Sequence, residues 1–90
     1  MKRVISNRMY NKWLLMTENN NHTECVMDIA KYFGYKDLYN AFKAIYNIHN
    51  AVGNLPYEIS RARFHLTEYL LDKIMNDYGD KVWEEVNNCL

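Results

Sequence analysis

The sequence predicts an all-α protein, a compact bundle of about five helices forming one domain over residues 1–90. Three observations lead there. Apolar residues recur at three- and four-residue intervals along most of the chain, the period of an amphipathic helix. Turn-formers are scarce, three Gly and one Pro in ninety residues, which disfavours a many-stranded β fold. Gly34, Gly53, Pro56 and Gly79 fall between the periodic stretches rather than inside them.

Ile5, Met9, Trp13 and Met16 lie on one face, and Ser6 suits the N-cap, so residues 6–17 read as the first helix. The polar run from Glu18 to His22 reads as a loop. Thr23, or Asn21 with Glu24 three residues on, opens a second helix whose inner face is Val26, Ile29, Ala30 and Phe33. Gly34 ends it in the left-handed position that glycine favours. Asp37 is the expected N-cap of a third helix with Leu38, Ala41, Phe42 and Ile45 inward, ending near residue 51. Pro56 suits a first turn, and a long fourth helix spans about 57–77. It carries two apolar stripes, Ile59/Ala62/Leu66/Leu70/Ile74 and Phe64/Leu71/Met75/Tyr78, and is expected to pack on both sides. Gly79 and Asp80 stop it and cap a short last helix bearing Val82, Trp83, Val86 and Leu90.

Composition narrows the class. An apolar fraction of 49% with 24% charged residues belongs to a folded soluble domain rather than a disordered chain. No apolar run approaches the roughly 18–20 residues that span a bilayer, so no membrane partner is expected. The basic opening lacks the apolar stretch and cleavage site of a secretory signal. Cys25 and Cys89 are too few for a disulfide framework and read as free thiols, which points to the cytoplasm, or the host cytoplasm for a viral chain. Abundant Asn, Tyr, Ile and Lys reflect A/T-rich codons, common in phages and mobile elements.

Residues 23–50 form the sharpest local pattern, a helix, a glycine turn and a second helix. Small residues let such helices cross closely, and the second helix can then enter a DNA groove. The stretch Ile29-Ala30-x-x-x-Gly34-Tyr35-x-Asp37 resembles the second helix-turn-helix of the AraC-type transcription activators, whose pattern runs I-A-x-x-x-G-F-x-D. Ala41 and Ile45 occupy two apolar positions that this family usually fills with Phe, so the likeness runs over residues 29–45. Lys43, Gly53 and Pro56 echo the family's ending only loosely, and its first helix-turn-helix has no counterpart here. The resemblance implies duplex DNA as a partner. Lys36, Tyr39, Asn40, Lys43 and Asn47 are then the readers, Asn for adenine and Lys for guanine or phosphate.

Charge argues for a different partner. The chain has 11 basic and 11 acidic residues, net zero. Lys2, Arg3, Arg8 and Lys12 give residues 1–16 a local charge of +4, while residues 17–60 and 61–90 each carry −2. DNA binding draws much of its free energy from neutralising phosphates, yet the basic cluster lies outside the helix-turn-helix-like pair. The last third sets Trp83, Tyr69 and Tyr78 among acids, and aromatic anchors in a charged rim are how protein interfaces gain affinity. Tyr39 and Tyr46 share a face of the third helix with Lys43 between them, a contact surface for a protein, a second copy in a homodimer, or nucleic acid.

Catalytic patterns are thin. His22-x-x-Cys25 is a two-ligand fragment with no second pair at zinc spacing, and no Gly-rich phosphate loop occurs. Arg61 and His65 are one turn apart and could meet an anion. The expectation is a protein that is not an enzyme, takes no cofactor or metal, and binds a macromolecule. A small inhibitor or adaptor of the kind phages and mobile elements encode, acting on a protein partner, leads. A helix-turn-helix regulator is the alternative.

Overall fold

The computed structural model describes residues 3–90. Five α-helices follow one another: α1 (Asn7–Glu18), α2 (His22–Tyr32), α3 (Lys36–Val52), α4 (Tyr57–Tyr78) and α5 (Asp80–Asn88). No strand occurs among the described residues. Each helix packs against the next, and α2 also touches α4. The all-α bundle is therefore as the periodicity predicts.

The first two joints share one chemistry. At the end of α1, the Asn21 N–H donates to Met16 O and the Asn20 N–H to Thr17 O, with Asn20 at φ +63°. At the end of α2, the Tyr35 N–H donates to Ala30 O and the Gly34 N–H to Lys31 O, with Gly34 at φ +78°. Both are Schellman caps, in which one left-handed residue lets two amides satisfy the last free carbonyls of the helix. The polar Asn triplet is thus a helix terminator, and Asn20 stands where Gly stands in the second joint.

The start positions differ from expectation in detail. The Schellman turn after α2 consumes Gly34 and Tyr35, so α3 restarts at once. Tyr35 takes the cap position without a side-chain bond, and Asp37 lies in the first turn of α3, favourably placed for the helix dipole but not capping it. Asn21 takes the cap position of α2, and Thr23 lies inside the helix. Pro56 precedes α4 as its cap, and Gly79 serves as the end of α4 and the cap of α5, leaving Asp80 as the first residue of α5. Ser6 caps α1 as expected, its hydroxyl accepting from the Met9 N–H.

The core gathers Ile5, Trp13, Cys25, Val26, Ile29, Ala30, Leu38, Phe42, Leu70, Ile74, Val82, Val86 and Cys89. Trp13 is fully buried, and its indole Nε1–H donates to Asp28 Oδ2 at 2.8 Å. The other oxygen of that carboxylate takes Lys12 Nζ at 3.2 Å. The Trp13 ring meets Tyr32 edge to face at 5.5 Å, beginning an aromatic chain through Phe33 to Tyr35 and Tyr78. Tyr35 closes the far side: its hydroxyl donates to Asp77 Oδ2 at 2.8 Å, tying the α2–α3 turn to the end of α4.

Replacing Asp28 with Ala leaves a partly buried indole N–H unpaired and frees Lys12. We expect a loss of about 1.5–3 kcal/mol, read from urea denaturation with an unchanged slope. No atom lies within 4 Å of a Cβ built on Gly34, so Gly34→Ala meets no clash and costs only its backbone conformation. That is about 1 kcal/mol, whereas Asn20→Gly should raise stability by a few tenths to about 1 kcal/mol.

Candidate functional site

The fourth helix departs most from what its sequence predicts. Of its first stripe, only Leu70 and Ile74 are fully buried, and Ala62 is exposed. Of its second, Leu71 and Met75 are half-buried while Phe64 is 60% exposed and Tyr78 49%. Both α3 and α5 pack on α4, whose fully buried residues lie in its C-terminal half. The N-terminal half is covered on its inner side alone, where Ile59, Arg63 and Leu66 are half-buried. Tyr57 is 74% exposed there, and Val52, at the end of α3 across the turn, is 58% exposed.

Beside this face runs a groove of about 400 Å³. Val26 of α2 lines its floor, Phe64 and Leu71 one wall and Leu90 the other, with Arg63 and Glu68 at the rim. Arg63 is held in place by its own bond, Nη1 donating to the buried Thr23 Oγ1 at 2.9 Å. Thr23, one of the two cap candidates, instead joins α2 to α4, while the other, Asn21, takes the cap position. On the other edge of Phe64, Arg61 and His65 share a shallow recess with Tyr57 and Ser60, the His65 ring 5.9 Å from that of Phe64. Arg61 and His65 do meet on one surface, as their one-turn spacing implies.

The residues singled out on α3 fall on two surfaces. Lys36, Asn40, Lys43 and Asn47 are all exposed and follow one another along its outward face, a stripe without a carboxylate. Tyr39 is half-buried against the core, and Tyr46 is half-buried facing the start of α2, where it shares a small pocket with Asn21 and Thr23. Trp83 is half-buried on α5, away from both. None of the eight tyrosines is fully buried.

The basic N-terminal set is partly spent inside the molecule. Lys2 lies outside the described residues. The Arg3 guanidinium stacks over the Tyr10 ring at 3.6 Å, and Lys12 pairs with Asp28, leaving Arg8 exposed on α1. Just beyond Arg3, the Val4 and Ile5 N–H groups donate to the two oxygens of Glu85 at 2.9 and 2.8 Å. Glu85, which composition reads as one more surface acid, straps the start of the chain to α5. Nothing in local sequence marks a pair 80 residues apart.

Both cysteines are buried free thiols. Burial, with the neighbouring Cys89 adding to it, pushes Cys25 up to about 12, and burial pushes Cys89 up to about 11. They are protonated at neutral pH and built as packing groups. No cluster of three metal-ligating side chains occurs among the described residues. No helix among them is long and apolar enough to cross a membrane. No protein family, curated protein or solved structure matches the chain.

The thiols set an alkaline limit. Their ordinary value is 9.0, so below that pH both folded and unfolded chains hold the protons and these groups leave stability unchanged. Above it the unfolded chain ionises first, and stability falls as pH rises toward 11 to 12. Urea midpoints between pH 8 and 10.5 should decline, and the decline should be shallower for Cys25→Ala measured against its own pH 8 value. Iodoacetamide at pH 8 should label neither cysteine until urea unfolds the chain.

Proposed function

We propose that the protein is non-catalytic and works by binding another protein through the outer face of α4, as a small inhibitor or adaptor of the kind phages and mobile elements encode. The observation that supports this is the exposed pair Tyr57 and Phe64 on one face, with half-buried Leu71 in line and the adjoining groove beside them. An isolated exposed Leu or Phe on a small protein needs no explanation; several on one helix face beside a walled groove mark a contact surface. The polar rim of Arg61, Arg63 and Glu68 supplies orientation, and the aromatic centre supplies the free energy. A partner's apolar side chain, or one turn of an amphipathic helix, fits the groove's volume.

The acid-free Lys36/Asn40/Lys43/Asn47 stripe favours a second reading, duplex DNA entered by α3. It suits a helix-turn-helix whose two helices are joined by Phe33, Gly34 and Tyr35 alone. Two lysines neutralise few phosphates, however, and Arg3 and Lys12 are engaged elsewhere. The protein-binding reading therefore leads.

Immobilised protein, offered host lysate with and without nuclease, separates the two. Under the leading reading it retains a protein that survives nuclease and is lost with Tyr57→Ser/Phe64→Ser. Both sites are exposed, so that double variant keeps its stability within about 1 kcal/mol. Under the second reading, duplex DNA binds with affinity that falls steeply with salt and is lost in Asn40→Ala/Lys43→Ala. Retention unchanged in the Tyr57/Phe64 variant counts against the face proposed here.

A further inference from the structure

We infer that the outer face of α4 takes a second copy of this chain, the two α4 helices crossing antiparallel about a two-fold axis beside Phe64. The inference rests on the reading of that face as protein-binding and names its occupant. From Tyr57 to Leu71 the face advances by alternate steps of four and three residues, the spacing by which one helix presents a continuous seam to another. Tyr57, Phe64 and Leu71 fill one set of seam positions, the first two exposed and Leu71 half-buried, with Arg61 and Glu68 between them. Arg61 and Glu68 are exposed, and neither makes an ion pair among the described residues.

The charges choose the orientation. In a parallel pair each Arg61 would face the other Arg61 and each Glu68 the other Glu68, and like charges held opposite repel. In an antiparallel pair centred between Phe64 and His65, Arg61 of each copy lies opposite Glu68 of the other. The two residues sit about 5 Å along the helix on either side of that centre. The same register sets Tyr57 opposite the exposed Asp72. A face complementary to itself under a two-fold closes on a dimer and leaves no open edge.

Sedimentation equilibrium on the full chain, two charge variants and their mixture tests this. Wild type should reach twice 10.8 kDa within the micromolar to millimolar range. Arg61→Glu and Glu68→Arg alone should each weaken association by about tenfold or more. An equimolar mixture of the two should restore it, because every cross-pair is then of opposite charge. A chain that stays at 10.8 kDa throughout overturns the inference, and so does a dimer indifferent to both reversals. A monomeric wild type that still loses a captured partner on Tyr57→Ser/Phe64→Ser overturns the second copy as occupant while the protein-binding face stands.

Discussion

One carboxylate holds the first half of the molecule in register. Asp28 accepts from the buried Trp13 indole with one oxygen and from Lys12 with the other, so α1 can sit on α2 in only one rotation. Trp13 is the largest side chain in the core, and its N–H must find a partner there or forfeit much of what burying the ring gains. With that bond made, the ring presents its edge to Tyr32, and the aromatic chain runs on to Tyr35 and Tyr78. The contact between α1 and α2 and the seating of α4 are thus linked through neighbouring rings.

Periodicity and glycine placement were enough to find the helices, because both are local. Gly34, Gly53 and Gly79 all adopt positive φ at the ends of helices, where a side chain would be strained. The caps were less legible, since three residues between α2 and α3 leave no room for Asp37 to act before the helix has begun. Long-range partners were not legible at all. Asp28 and Glu85 look alike in a charge count, and so do Lys12 and Arg8, yet two are anchors, one is neutralised and one is free.

The candidate site was hidden for a related reason. Helical period reports that Phe64 and Leu71 share a face with Met75 and Tyr78, and it cannot say which molecule covers that face. Here the chain's own helices half-bury Leu71 and Met75 and leave Phe64 60% exposed. The α3 residues were legible as an exposed polar stripe, since Lys and Asn there alternate with Leu38, Phe42 and Ile45 pointing inward. Tyr39 and Tyr46 were not, because a tyrosine on the boundary can lean either way, and both lean against their neighbours.

The strap between Glu85 and the amides of Val4 and Ile5 has a kinetic side. Most helix-to-helix contacts join neighbours in sequence and close over short loops, whereas this one closes 80 residues at once. Contacts of that span form after the local ones. The strap then acts as a clasp fastened after neighbouring helices have met. The bond that seats the Ile5 backbone against α5 is the one that holds a core side chain without any helix around it, so this end can open without unwinding a helix.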